Sequence, residues 1–114
     1  MARPERVIAE SAALVERGAG VRFDLARDGR RVPAFAIRAN GVVRGYANVC
    51  AHQGLELDLT PLRFFDDQGL HLTCTAHGAL YDPDNGRCIG GPCRGKGLER
   101  LCIVERDGRV LLIE

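Results

Sequence analysis

Two short clusters constrain this chain more than any other feature: Cys50-Ala51-His52 and Cys74-Thr75-Ala76-His77, separated by residues 53 to 73. Each supplies one thiolate and one imidazole. With only one or two residues between its donors, neither pair can place them independently. Each pair must therefore approach a shared centre from a single loop, and two such loops make four ligands. A mononuclear zinc site uses the same Cys2His2 set. Zinc patterns, however, usually keep two cysteines together on one turn and two histidines together on a helix. Here each loop mixes the two types, and no helical period surrounds either histidine. That mixture suits a two-iron centre in which one iron takes both thiolates and the other both imidazoles. Spacing favours iron–sulfur and leaves zinc open.

Length and charge narrow the setting. A chain of 114 residues has room for one domain, expected to span 1–114. At this size folding removes roughly two-thirds of the accessible surface, so a metal staple is a substantial part of the stability. Sixteen basic against fifteen acidic side chains argue against a protein built to coat nucleic acid or an acidic membrane. No apolar run approaches the ~20 residues of a membrane span. Met1 to Glu10 carries Arg3, Glu5, Arg6 and Glu10 and does not read as a secretory signal. The expected location is therefore cytoplasmic and reducing, where five cysteines point to metal ligands rather than a disulfide framework.

The rest of the chain reads as short β-strands separated by tight turns. Asp28-Gly29, Asn40-Gly41, Asn85-Gly86 and Asp107-Gly108 are turn dipeptides that accept positive φ. Strands are expected over Val21 to Leu25, Pro33 to Ile37, Val42 to Ala47, Leu70 to Thr73, Arg100 to Glu105 and Arg109 to Ile113. Ser11 to Arg17 alone reads as helical, with Ser11 as its cap. Residues 48 to 93 hold two basic and six acidic side chains, so the segment with the ligands is also the acidic one. Glu56, Asp58, Asp66, Asp67, Asp82 and Asp84 are expected to ring its tip and attract a basic partner surface.

After the second histidine the chain runs His77-Gly78-Ala79-Leu80-Tyr81-Asp82-Pro83, then Asn85-Gly86, then Gly90-Gly91-Pro92. With Cys50-Ala51-His52 ahead of it, this resembles the Rieske [2Fe–2S] family: C-x-H, a spacer, C-x-x-H-G, an aromatic residue four after the histidine, a D-x-x-x-G turn and a Gly-Pro loop. The resemblance is close over residues 42 to 92. It implies an all-β fold of stacked antiparallel sheets, with the cluster-binding loops, about 48–93, forming a tip. It also implies one [2Fe–2S] cluster held by Cys50 and Cys74 on one iron and His52 and His77 on the other. Gly54 and Gly78 would let backbone N–H groups approach the bridging sulfides, Pro92 would cover the cluster, and Tyr81 would donate to a ligand sulfur.

Departures from the pattern refine this. High-potential members carry a disulfide between the ligand loops and a serine after the H-G pair; Leu55, Ala76 and Ala79 stand at those positions. The resemblance is thus to the soluble ferredoxin branch. It implies an electron-transfer component without a substrate site of its own, working between a reductase and a terminal oxygenase or similar redox enzyme. The alternatives are a small subunit of a multi-subunit reductase, a structural zinc domain and a redox sensor. The spacer between His52 and Cys74 is longer than expected, with Phe64 and Phe65 read as core residues that close it. His71 is read as an ordinary strand histidine and Cys102 as a small buried hydrophobe. Cys88 and Cys93 flank the Gly-Pro loop and are read as free thiols, with a redox-labile pair as the alternative.

Overall fold

The computed structural model describes residues 5–48, 63–66, 68–74, 79–91 and 97–113, with backbone alone at 27 and 74. Ten strands follow one another: β1 (Glu5–Glu10), β2 (Val21–Arg27), β3 (Arg30–Ala39), β4 (Val42–Ala47), β5 (Leu72–Cys74), β6 (Ala79–Tyr81), β7 (Cys88–Gly90), β8 (Arg100–Leu101), β9 (Ile103–Arg106) and β10 (Arg109–Ile113). They form three antiparallel sheets, ordered β1-β10-β9, β2-β3-β4-β8 and β5-β6-β7.

Three of the four turn dipeptides close two-residue hairpins. Arg27 lies opposite Arg30, Ala39 opposite Val42, and Arg106 opposite Arg109. In each turn both residues take positive φ: 49° and 75° at Asp28-Gly29, 54° and 76° at Asn40-Gly41, 53° and 77° at Asp107-Gly108. That geometry matches the right-handed twist of the flanking strands, which is why Asn-Gly and Asp-Gly serve here.

β3 is the partition of the molecule. Its residues 34 to 37 are all buried. Alternation sends Ala34 and Ala36 to one face, where they pack with Leu25, Val43, Val110 and Leu112 against the β1-β10-β9 sheet. Phe35, Ile37 and Ala39 point the other way and join Tyr46, Phe64, Leu72, Ala79 and Tyr81. A strand covered on both faces reads as a continuous apolar run. The second core ties the small β5-β6-β7 sheet to the base. Phe64 stacks on Phe35 with ring centroids 4.1 Å apart and planes 9° apart. Phe64 and Phe65 are 0% and 6% exposed, as expected for residues that close a long spacer.

Several local expectations are corrected. Ser11 to Arg17 is not a helix: a 3-10 turn covers only Ser11–Ala13, and Leu14 is extended and buried. The Ser11 N–H is spent on Gly108 O at 2.8 Å, and Arg17 turns to a φ of 55°, where its N–H reaches Arg38 O. Tertiary bonding to neighbouring strands overrides a weak local preference. His71 precedes β5 rather than lying within it, because Asp66 and His71 close a turn and Leu70 faces outward, 49% exposed. Arg100 to Glu105 breaks at Cys102, which lies between β8 and β9 and is exposed rather than buried. Ile103 takes the inward position there, packing against the buried clusters around Val110 and Leu112. No helix among the described residues is long and apolar enough to cross a membrane.

Candidate metal centre

The two ligand loops leave the fold at defined places. The first begins where β4 ends, and the Asn48 N–H donates to Pro33 O at 2.8 Å to fix that exit. Cys50, His52 and Gly54 follow, outside the described residues. The second is the connection between β5 and β6, where Cys74 and Ala79 are backbone partners. His77 and Gly78 fall within that four-residue connection, also outside the described residues, as does Pro92 beyond β7. Beyond that connection, Ala79 and Tyr81 share the buried face of β6 and are both 0% exposed. The two thiolates and two imidazoles of the motif are the donor types that a His- and Cys-ligated [2Fe–2S] cluster takes. Among the described residues no three His, Cys, Asp or Glu side chains converge on a competing metal site.

The turn after β6 is built as a junction. The Gly86 N–H donates to Asp82 O at 2.7 Å, the Asp84 N–H to Asp82 Oδ1 at 2.8 Å, and the Arg87 N–H to Asn85 Oδ1 at 2.9 Å. Unlike the three hairpin dipeptides, only the glycine of Asn85-Gly86 has positive φ, 78°. A Cβ at Gly86 would sit 2.7 Å from the Tyr46 ring. The Tyr46 hydroxyl donates to Pro83 O at 2.7 Å. Burial pushes that hydroxyl's pKa up to about 12, with Arg100 and Arg44 opposing the rise. Tyr46 is thus the base sheet's anchor for this turn, a role not foreseen from sequence; the Gly-Tyr step facing a D-x-x-x-G turn is the only signal for it.

A second anchor was equally hidden in the sequence. Arg17 reaches Gly69 O at 2.8 Å, Leu70 O at 3.2 Å and Asn40 Oδ1 at 2.8 Å, holding the turn between Asp66 and His71 against the base. Within that turn Asp66 Oδ1 accepts the Leu70 N–H at 3.0 Å, and His71 Nδ1 lies 3.5 Å from Asp66 Oδ2. Burial alone would raise the Asp66 pKa, but the Leu70 and His71 N–H groups and the His71 ring outweigh it and hold the carboxyl low.

Of the acidic residues expected around the tip, Asp66, Asp82 and Asp84 each bond within or between turns, Asp84 accepting from Asn40 Nδ2 at 2.9 Å. Glu56, Asp58 and Asp67 lie outside the described residues. Cys88 corrects a further expectation: it is disulfide-bonded rather than a free thiol, and it packs half-buried against the Phe64–Tyr81 core. Cys93 lies outside the described residues.

Among solved structures the fold is similar to the ferredoxin of carbazole 1,9a-dioxygenase from Nocardioides aromaticivorans IC177, with a TM-score of 0.74, 22% identity and 96% of each chain covered. It is also similar to the terminal oxygenase of carbazole 1,9a-dioxygenase from Novosphingobium sp. KA1, with a TM-score of 0.78 and 23% identity. There the match covers 98% of this chain but 30% of the oxygenase, so the chain spans under a third of that protein's length. A fluorene-bound oxygenase and ferredoxin complex of carbazole 1,9a-dioxygenase is matched with a TM-score of 0.77 at 17% identity, over 98% of this chain and 29% of that one. No curated protein matches the chain by sequence. The Rieske [2Fe-2S] domain model matches residues 7–106, a span that includes both Cys–His pairs and the turn built on Tyr46. The chain belongs to the Rieske [2Fe-2S] domain family, whose cofactor is one [2Fe–2S] cluster.

Proposed function

We propose that this protein is a one-electron carrier, a ferredoxin that takes electrons from a reductase and passes them to a terminal oxygenase or comparable redox enzyme. The observation that carries the reading is the Rieske [2Fe-2S] domain match over residues 7–106 joined to a fold that follows a carrier ferredoxin over 96% of both chains. Cys50 and Cys74 would hold one iron and His52 and His77 the other. When bound, the cluster supplies reversible one-electron chemistry at a potential above that of four-thiolate centres, because neutral imidazoles replace two anionic ligands.

The chain's own residues set the conditions. Ala79 and Tyr81 give the start of β6 a buried face next in sequence to the second Cys–His pair. The Tyr81 hydroxyl is assigned as a donor to a ligand sulfur, Gly54 and Gly78 as backbone positions close to the sulfides, and Pro92 as a cover without a polar side chain. The whole of 1–114 then serves as one domain, with no substrate site of its own.

Metal and acid-labile sulfide analysis, with an electron paramagnetic resonance spectrum of the reduced protein, tests the centre. Two irons and two sulfides per chain are expected; zinc alone in fresh protein overturns the reading. Cys50→Ser and Cys74→Ser should each lose the cluster, and Cys102→Ser should keep it. Carrier function is tested by mixing reduced protein with a Rieske oxygenase and following its reoxidation. No reoxidation by any such acceptor, with tight co-purification in a larger reductase, would favour a fixed subunit instead.

A further inference from the structure

The β4–β8 edge of the base sheet gathers a second set of reactive groups. Gly45 lies opposite Leu101 and Tyr46 opposite Arg100. This register puts Arg100 on the Tyr46 face and, one step along, brings Arg44 beside Cys102. Arg44, Tyr46, Arg100 and Cys102 all line one open recess of about 200 Å³. Cys102 is an exposed free thiol.

What sets this recess apart is two arginines, unpaired among the described residues, beside a free thiol. Several guanidinium groups elsewhere on the base have carboxylate partners: Arg38 with Glu105 at 2.6 Å, Arg106 with Glu5 at 2.8 Å and Arg31 with Asp24 at 3.7 Å. Arg30 and Arg109, at hairpin ends, have none among the described residues, but neither lines this recess. Arg44 and Arg100 have none among the described residues. Arg44 is half-buried, and its Nε is shut off from solvent without a hydrogen-bond partner among the described residues. A buried donor left unmade is costly, and a bound acceptor would recover that cost. Guanidinium forks match the paired oxygens of carboxylates and phosphates, and carboxylates are the anionic groups that small disulfides carry. The recess therefore pairs an anion-binding wall with an accessible sulfur nucleophile.

We infer that Cys102 is a mixed-disulfide site for small carboxylate-bearing disulfides, of which oxidised glutathione is the probe, with Arg44 and Arg100 binding the carboxylates. The step is thiol–disulfide exchange. The Cys102 thiolate attacks one sulfur of the bound disulfide, the bond between the two halves breaks, and a bond from Cys102 to one half forms. The other half leaves as a thiolate and takes up the proton that Cys102 gave up. The Cys102 sulfur is oxidised and the departing sulfur is reduced, so no outside oxidant is needed.

The test uses the cluster-loaded protein and three symmetrical disulfides: oxidised glutathione (anionic), hydroxyethyl disulfide (neutral) and cystamine (cationic). Adduct formation at Cys102 is followed by mass spectrometry, and each rate is divided by that of a small reference thiol. The corrected rate for oxidised glutathione should exceed that for cystamine by about tenfold at low salt, and the ratio should shrink towards one as salt screens the arginines. Arg44→Gln with Arg100→Gln should abolish the preference, and the two lysine substitutions should restore much of it. Cys102→Ser should remove the adduct. Equal corrected rates for the three disulfides, or an adduct placed on another cysteine, would overturn the assignment. The wild-type salt series decides the matter should the double glutamine variant fail to fold.

Discussion

β2, β3 and β4 run for 7, 10 and 6 residues and are joined by two-residue turns, whereas β5, β6 and β7 have three residues each and are joined by longer segments. The base sheet presents two apolar faces and packs one of them on a second sheet of its own. The small sheet shares the other face and, among the described residues, has no second partner sheet. Strands of three residues are marginal in isolation. The small-sheet half draws its order from the Phe35–Phe64 stack, the bonded turns and the Cys88 disulfide on β7, and cluster binding is expected to add to these. On that footing the base should keep its fold without the cofactor, and the tip should depend on it.

Removing the cofactor should separate the two regions most sharply. In a Cys74→Ser protein without cluster, the amides of Thr73, Asp82 and Gly86, which donate to Phe64 O, Arg87 O and Asp82 O, should lose protection by about 100-fold or more. Amides of Ala36 and Ile37 in β3 should change little. Equal loss in both regions, read by hydrogen exchange, would show a single cooperative unit.

Phe64→Ala cuts the stack that joins the halves and should cost about 3–5 kcal/mol in denaturant unfolding, the range for a fully buried phenylalanine. A cost below about 1 kcal/mol would mean the halves are held by other contacts.

Two glycines with nearly the same backbone angle provide the next contrast. Gly86 (φ 78°) packs against the Tyr46 ring, whereas a Cβ added at Gly29 (φ 75°) would meet no described atom within 4 Å. Gly29→Ala should cost about 1 kcal/mol for conformation alone. Gly86→Ala adds a clash in the junction and should cost roughly 2–3 kcal/mol. Matching thermal midpoints for the two variants would dismiss the junction.

The two buried tyrosines, Tyr46 and Tyr81, should differ in what their hydroxyls contribute. Tyr46→Phe strands the buried Pro83 carbonyl and should cost about 1–2 kcal/mol, leaving the potential unmoved. Tyr81→Phe should lower the potential, because a donor hydrogen bond to sulfur favours the more negative reduced cluster. With Ala79 in place of a hydroxyl, the wild-type midpoint is expected at roughly −150 to 0 mV, and Ala79→Ser should raise it. A midpoint above about +150 mV would refute the argument from missing donors.

Acid should act on both regions through depressed carboxyls. The Arg38 hydrogen bond holds the Glu105 carboxyl below its usual range on the base, as the Leu70 and His71 N–H groups do for Asp66 beside the tip. A carboxyl whose pKa is lowered by folding stabilises above its unfolded value and loses that contribution as pH falls through its folded value. Both terms should therefore fade below about pH 4. Glu105→Gln should cost less than about 1 kcal/mol at neutral pH, since the pair is partly exposed, and should flatten the acid limb of stability against pH.

Much of the base was legible because its signals are local. Asp28-Gly29, Asn40-Gly41 and Asp107-Gly108 each announce a hairpin, and Val42 to Ala47 is β4 to the residue. The paired Cys–His spacing likewise pointed to the family. What escaped depends on partners distant in sequence. Glu5–Glu10 becomes β1 because β10 pairs with it, and its own sequence shows only a polar start. Ala79–Tyr81 and Cys88–Gly90 are too short to carry a period. Ser11 to Arg17 fails as a helix because Arg38, which donates to Leu14 O at 2.8 Å and Ser11 O at 3.2 Å, claims its carbonyls. Cys102 faces outward against its apolar neighbourhood because a break between two strands reverses which side chain turns in. The four proposed ligands, legible as a motif, lie at or beyond the edge of the described residues.

The pairing of β1 with β10 sets Glu5 opposite Ile113, near the two ends of the described chain. Antiparallel partners lie about 5 Å apart, so this unit enters and leaves at nearly one point. It can be spliced into a surface loop of a host protein without prying that loop open. Joining the two ends and cutting instead at Asp28-Gly29, where a Cβ on the glycine would meet no described atom, should give a circular permutant with the same sheets.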